Sequence, residues 1–435
     1  MIGQDVRACP RGTALLIGTR FNLVAVLSAS ASAAVVAVSA AFAGPDCPPR
    51  YAVEFACGIT CATIWMSPQA INARGDIVGY AFGSCNLNDR AMVWYAGSPA
   101  VQALPTPSGT VWSRAYGISD AGHAVGEFSQ GSGVRGFMVY NGVFYDMGTL
   151  PGGNKSVANA VNSSGLAVGF WGNVVTGPSP RSMHWTIGGG MQDLGKIFGE
   201  YRSELMAITE AGVSCGYIRI DATSLGQRAV VLGGMDLLTL PPSPGAWSSA
   251  AWGVNDLGQA AGFGFGPCLT PNGSGCITRY GFFWNGAEMV PLGFMPGCPW
   301  MNPNDINNAG QIVGNQNSQG GPAFCGAFLW ERGNLHQLTD LTDLPPGYYI
   351  GEASAINNNG VIAASLGTPG AQGCFARLTP LPPVVADLDC DRAVGLSDLQ
   401  VLLAAWGTEN PSADIDNSGR VDAADLAAML ASWRR

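Results

Sequence analysis

Three observations in this 435-residue sequence predict an all-β ring of seven blades followed by a small all-α module. A nine-residue phrase, written INNAGQIVG at residues 306–314, recurs seven times at intervals of 43 to 52 residues. The chain carries 61 glycines and 28 prolines with 47% apolar and only 12% charged residues, which suits many short strands around a large core better than long helices. Past residue 386 the composition shifts: residues 387–435 hold nine carboxylates and four arginines in two copies of one loop-helix pattern.

At the N-terminus Arg7, Arg11 and Arg20 accompany an apolar run from Phe21 to Phe42 that ends in Ala41-Phe42-Ala43 before Gly44-Pro45. That is the layout of an export signal with a small-residue cleavage site, so residues 1–43 read as a signal peptide. The mature chain is expected to be secreted, extracellular or cell-surface associated, and no further apolar stretch in the sequence is long enough to span a membrane. A net charge of −9 argues against a nucleic-acid partner. Past Cys9, eleven scattered cysteines suit disulfides in an oxidising compartment, and an odd count leaves at least one thiol free or bonded to another chain. Cys57 and Cys61 lack the companion ligands of a metal site, and Cys268 and Cys276 bracket a Pro/Asn/Gly loop that a local bridge would close.

The phrase begins at Ile71, Ile118, Val161, Ile208, Val254, Ile306 and Ile356. Each copy sets a polar four-residue unit after an apolar residue, with Asn72, Ser119, Asn162, Thr209, Asn255, Asn307 or Asn357 first. Glycine stands fourth, as Gly75, Gly122, Gly165, Gly212, Gly258, Gly310 and Gly360. Asn or Ser opens a type I turn through its own side chain, and glycine supplies the positive φ that follows, so the phrase is a β-hairpin. These residue types are demanded by the turn and need no ligand to explain them. A second glycine (Gly79, Gly126, Gly169, Gly216, Gly262, Gly314, with Ala364 the exception) falls inside the returning strand, where another backbone is expected to approach. An apolar-aromatic strand then follows, ending for example at Trp94, Trp284 or Trp330, and a last one closes on Leu with turn residues, as at Leu150-Pro-Gly-Gly153. Four short strands per repeat make one propeller blade, so residues 44–378 read as a seven-bladed β-propeller. Tyr51 to Ala56 is a spare strand that would complete the last blade and clasp the ring.

Gly148-Thr-Leu-Pro-Gly-Gly153 and Ala327-Phe-Leu-Trp330, together with the phrase, resemble the extracellular HAF repeat family over about residues 50–378. The family's His is replaced by Gly326 before AFLW and by Arg90 before AMVW, so that residue has no role here. The resemblance implies an extracellular repeat scaffold and no established chemistry.

Residues 379–386 are a proline-rich linker to a module over 387–435. Two 12-residue loops, DLDCDRAVGLSD from Asp387 and DIDNSGRVDAAD from Asp414, align at a spacing of 27. Oxygen donors fall at positions 1, 3, 5 and 12: Asp387, Asp389, Asp391 and Asp398 in the first loop, and Asp414, Asp416, Ser418 and Asp425 in the second. Position 7 offers the carbonyls of Ala393 and Arg420, and Asp422 suits a water-mediated position 9. Hard oxygens at this spacing suit Ca²⁺, so two sites are expected. An amphipathic helix follows each loop, with Leu399, Leu402, Leu403 and Trp406 matched by Leu426, Met429, Leu430 and Trp433. The duplicated unit resembles a type I dockerin. The resemblance implies two bound Ca²⁺ ions and a cohesin-like partner read by loop positions 10 and 11, here Leu396, Ser397, Ala423 and Ala424. Departures are Arg392 for the usual Gly at position 6, Cys390 at position 4 and Ser418 for a carboxylate.

No residue is assigned a catalytic role by any motif. His123, His184 and His336 lie in different repeats and read as surface residues, while Glu127, Glu204, Asp221, Asp305 and Glu352 are carboxylates to place against the channel mouth. The expected function is a non-catalytic secreted propeller, a binding or structural platform for a carbohydrate or protein ligand, tethered through its tail. The alternative is an extracellular carbohydrate-active enzyme, which aromatic residues and paired carboxyls in the channel would favour over Gly, Ser and Ala.

Overall fold

The computed structural model describes residues 47–433 apart from 58–63, 84–86, 132, 174–179, 196–201, 221–225, 235, 268–276, 319–324 and 368–372. The export segment, Cys61, Asp221 and the Cys268–Cys276 loop lie outside the described residues. Within them, 28 strands fall into seven four-stranded antiparallel groups. The first six blades span residues 64–103, 110–148, 155–193, 203–239, 250–291 and 300–337. Blade 7 takes Tyr349–Ile356, Ile362–Gly367 and Gly373–Pro380, and its outer strand is Tyr51–Ala56, antiparallel to the last of these with Tyr51 opposite Pro380. Beside that pairing Cys57 is disulfide-bonded to Cys374, so the ring is closed by hydrogen bonds and by a covalent bond.

The core lies between blades. Val78, Ala91 and Val93 of blade 1 pack against Ala115, Phe128 and Phe137 of blade 2, and Val313 and Leu329 of blade 6 against Ile350, Ile362 and Leu378 of blade 7. No blade can bury its faces alone, so each depends on its neighbours for the removal of apolar surface from water.

The repeated phrase forms the hairpin between the innermost strand of a blade and the next. All seven fourth-place glycines have φ between 73° and 91°. Each donates its N–H to the carbonyl of the first turn residue at 3.0 Å. The asparagines do more than make the turn. Asn307 Oδ1 accepts the N–H groups of Ala309 and Gln311, while its Nδ2 donates across the seam to the Asn357 carbonyl at 3.2 Å. The same donation runs from Asn72 to Ser119 (3.2 Å), Asn162 to Thr209 (3.5 Å) and Asn255 to Asn307 (2.9 Å). It closes from Asn357 to Asn72 at 2.9 Å. The two seams without this bond begin at Ser119 and Thr209, which have no amide to offer. Backbone N–H groups of the turns reinforce the seams, as Ala73 to Asp120 and Asn308 to Asn358.

The second glycine answers a different demand. In every innermost strand the ladder slips by one residue opposite it, between Pro68 and Ala70, Ala115 and Gly117, Ala158 and Ala160, Leu205 and Ala207, Ala251 and Gly253, Pro303 and Asp305, and Ala353 and Ala355. At each β-bulge a carbonyl of the inner strand crowds the returning strand: a Cβ on Gly126 would lie 1.9 Å from the Arg114 oxygen, and on Gly262 2.0 Å from that of Ala250. Blade 7, where Ala364 stands, carries a second bulge between Ile350 and Glu352.

His123 departs from the expected surface position. It is 6% exposed, stacked on Tyr140 at 3.9 Å with Nδ1 3.0 Å from Ser119 Oγ, because the seam of blades 2 and 3 needs filling where asparagine is missing.

Replacing Asn307 by Asp keeps the turn acceptor and removes the donor that crosses to blade 7. Asn307→Asp is expected to lower the unfolding free energy in urea by about 1–3 kcal/mol, because a buried carbonyl loses its partner and meets a carboxylate. A change within about 0.5 kcal/mol would mean that the turn alone uses this residue.

Candidate functional site

The seven bulges aim one extra residue per blade at the axis. Gln69, Tyr116, Asn159, Met206, Trp252, Asn304 and Ser354 all line a central channel with a cavity of about 370 Å3. The bulge positions are the same in every blade, but the side chains are all different except for two asparagines. Sequence reasoning missed this ring, since no local signature marks an unpaired residue; the glycine opposite it was the available signal. Trp252, 36% exposed, stacks on Phe263 at 5.9 Å and presents an aromatic surface to the channel.

Two of the five candidate carboxylates reach the channel wall, from adjacent blades. Asp305 follows the blade 6 bulge; its Oδ1 accepts the Ile306 N–H at 2.8 Å and its Oδ2 the Ile356 N–H at 2.9 Å. Burial pushes its carboxyl up to about 6 against these favourable bonds. Glu352 of blade 7 accepts from Asn304 Nδ2 at 3.4 Å, and burial raises its carboxyl as well. Asn304 Nδ2 also donates to the Ala353 carbonyl at 2.9 Å, which fixes the amide between the two blades. Carboxyls with raised proton affinity at the wall of a cavity are suited to giving and taking protons near neutral pH. Glu127 and Glu204 do not line it: Glu127 sits behind the channel residue Tyr116, accepting from its Oη at 2.7 Å, and pairs with Lys155 at 3.4 Å, and Glu204 pairs with Arg202 at 2.5 Å. Burial and the Glu127 carboxylate raise the Tyr116 phenol, so that hydroxyl stays a donor.

The cysteines fall into long-range bridges. Among the described residues Cys47 joins Cys390, Cys57 joins Cys374 and Cys298 joins Cys325, which suits an oxidising compartment and commits Cys57 away from any metal. Cys215 is a free thiol, buried, and its proton affinity is raised by that burial. Among the described residues no helix is long and apolar enough to cross a membrane.

In the tail the two loops share one geometry. Asp387, Asp389 and Asp391 bring oxygens within 4.8 Å of one another, as do Asp414, Asp416 and Asp425. Asp398 and Asp425 are fully buried and accept matching N–H groups, Gly395 and Asp422 at 2.7 Å. Position 6 has φ of 76° at Arg392 and 91° at Gly419, and position 4 has 65° at Cys390 and 57° at Asn417, so the loops turn alike despite different residues. Ser418 Oγ donates to the position 7 carbonyl of Arg420 at 3.1 Å, while Ala393 N–H is held by Asp391 at 2.8 Å. Asp422 caps the second helix by accepting the Ala424 N–H at 2.8 Å. Helix α1 (Leu396–Ala404) buries Leu402 and α2 (Ala423–Ser432) buries Met429 in a small core of their own. Leu396, Leu403 and Leu430 stay more than half exposed. Arg392 and Arg50 both pair with Asp343, and the Cys47–Cys390 bridge adds a covalent tie from the first loop to the segment ahead of blade 7's outer strand.

No protein-family model matches the sequence, and no curated protein matches it. Solved structures similar to it are propellers or contain one. The β-propeller domain of the Trilobed protease from Pyrococcus furiosus is 9% identical with a TM-score of 0.46, over 75% of this chain and 97% of that one. Oligogalacturonate lyase from Vibrio parahaemolyticus is 10% identical with a TM-score of 0.48, over 77% and 98%. Acylaminoacyl peptidase from Pyrococcus horikoshii is 10% identical with a TM-score of 0.46, over 74% of this chain and 52% of its own length. At this identity the likeness concerns the fold. The expected non-catalytic platform is corrected in favour of its alternative: besides Gly117, Ser354 and several alanines, the channel wall carries amides, aromatic residues and two carboxyls.

The Asp305 carboxyl holds its proton more tightly in the folded chain, at about 6, than in an unfolded one, at about 3.9. The folded state therefore binds more protons between those values, and stability falls as pH rises from about 4 to about 6, then levels. Asp305→Asn is expected to remove that slope, so the loss of unfolding free energy between pH 4 and pH 7 shrinks by about 2–3 kcal/mol relative to the parent. Identical pH profiles would show that this carboxyl does not titrate as described.

Proposed function

We propose that the ring is an extracellular carbohydrate-active enzyme, a glycosidase or lyase built of HAF-type repeats, with its reaction centre on the channel wall of blades 6 and 7. The observation that carries this reading is the pair of carboxyls with raised proton affinity, Asp305 and Glu352, on adjacent blades around a channel that also holds Trp252. Glu352 is the proton donor or acceptor, since its carboxyl is bonded only weakly, through Asn304. Asp305, with both oxygens on backbone N–H groups, sets the local charge and joins the blades. Trp252 offers a face on which a sugar ring stacks. Secretion follows from the export signature of residues 1–43 and fits the three disulfides.

The tail, in this reading, is a dockerin-like module that binds two Ca²⁺ ions and docks onto a cohesin-like partner through Leu396, Ser397, Ala423 and Ala424. The donor sets fit a hard cation: carboxylates converge in each loop, and both loops adopt the positive φ at position 6. Bound Ca²⁺ would neutralise the crowded carboxylates; burial first, and repulsion from Asp398, Asp391 and Asp389 after it, raise the Asp387 carboxyl.

The first test is turnover on a panel of neutral and acidic polysaccharides, read by reducing ends and by the ultraviolet absorbance of unsaturated products. Glu352→Gln is expected to lower kcat by about 100-fold or more without changing the circular dichroism spectrum. An absence of turnover across the panel, or a fully active variant, would sink the reading. For the tail, tryptic cleavage after Arg392 and Arg420 is expected to slow with Ca²⁺ and quicken with EDTA; equal rates would refute Ca²⁺ binding.

A further inference from the structure

We propose that Arg279 is an anion-recognition group that binds the carboxylate or sulfate of an acidic glycan beside the channel, an inference that rests on reading the channel as a glycan-processing site. Nine other described cations have a carboxylate within ion-pair distance: Arg50, Arg74, Arg114, Arg135, Lys155, Arg181, Arg202, Arg377 and Arg392. Arg279 differs. Among the described residues its hydrogen-bond partner is the side-chain carbonyl of Asn302, an uncharged group, and its Nε is buried with no partner at all. Its guanidinium lies 4.4 Å from the Phe263 ring centroid, 5.1 Å from that of Phe265 and 5.0 Å from that of Trp300. Aromatic faces hold a cation in place but do not neutralise it, and a half-buried guanidinium without a counter-charge is costly unless a ligand supplies one. Burial accordingly lowers its pKa.

The place of this residue ties it to the channel. Arg279, on Ile277–Trp284 of blade 5, is bridged to Trp300, the first residue of the innermost strand of blade 6. Asn302, which holds the guanidinium, and Asn304, which lines the channel, follow on that same strand. Two residues of strand span roughly 7 Å, so Asn302, which holds the guanidinium, stands about one sugar unit along the strand from the channel residue Asn304. A line of aromatic rings connects the two places, partly buried at Phe263: Trp252 on Phe263 at 5.9 Å, Phe263 on Phe265 at 5.6 Å, Phe265 on Trp300 at 6.2 Å. A planar guanidinium fork matches the paired oxygens of a carboxylate or a sulfate ester, and rings beside it suit the sugar that bears them. The chain as a whole carries −9, so general attraction of polyanions does not account for such binding.

The test uses the full chain with Glu352→Gln as background, so that binding is read without turnover. The probes are polygalacturonate, dextran sulfate and neutral dextran, followed by affinity electrophoresis and calorimetry. One or both acidic polymers are expected to bind about tenfold or more tightly than dextran; the polygalacturonate arm identifies a uronate and the dextran sulfate arm a sulfate ester. Arg279→Gln is expected to abolish that preference, and Arg279→Lys to keep part of it. Asn302→Asp gives the guanidinium an internal carboxylate with almost no change in shape, and is expected to remove acidic-polymer binding in a folded protein. Equal binding of acidic and neutral polymers, or a preference unchanged in both Arg279→Gln and Asn302→Asp, would overturn the proposal. Acidic-polymer binding lost in those variants while the Glu352→Gln substitution leaves turnover intact would uphold the anion site and reject Glu352 as the reacting group.

Discussion

Side-chain amides that donate across five of the seven seams, each to the next blade, are the interaction on which the ring depends. The asparagine carbonyl oxygen stays at home and shapes its own turn, as at Asn357 with Asn359 and Val361. The amide nitrogen reaches the neighbour, and the last reach runs from Asn357 back to Asn72, across 285 residues of chain. Local geometry and global closure are thus satisfied by two ends of one functional group. Buried and away from water, such a bond matters more for what its loss leaves unpaired than for its own strength.

A second constraint separates what is constant from what is free. The crowding carbonyl that demands glycine at Gly79, Gly126, Gly169, Gly216, Gly262 and Gly314 is the same feature that leaves an unpaired residue opposite. That unpaired residue has no ladder to maintain and faces a cavity, so its identity varies from Met206 to Trp252 without cost to the blade. The scaffold is repetitive and the site is not, which is how a symmetric fold comes to hold an asymmetric binding surface.

The hairpins were legible because a turn with glycine in fourth place is a local demand, and all seven glycines have the positive φ that such a turn needs. The bulges were not, because a slip of register is a property of two strands and appears in one sequence only as an unexplained glycine. For the same reason Asp305 and Glu352 looked no different from Glu127 and Glu204: all are isolated acids in strands, and only the fold decides which meet a cavity and which meet Lys155 or Arg202. The asparagines were read for half of their role, since the seam they cross joins residues some fifty positions apart. In the tail the loop spacing was plain, yet the bridge from Cys390 to Cys47 spans 343 residues and no spacing rule reaches that far.

That bridge changes the topology of the molecule. With Cys47 joined to Cys390 and Cys57 to Cys374, nearly all of the ring lies inside a covalent circuit whose two ends are locked together twice. A protease that cuts one exposed loop between blades opens the circuit without releasing a fragment: both pieces stay attached, and each blade still meets the same neighbours. Damage to the backbone is converted from a loss of the molecule into a nick. Holding the tail to the start of the same circuit extends that protection to the segment between ring and tail, so a single cut there does not detach the tail.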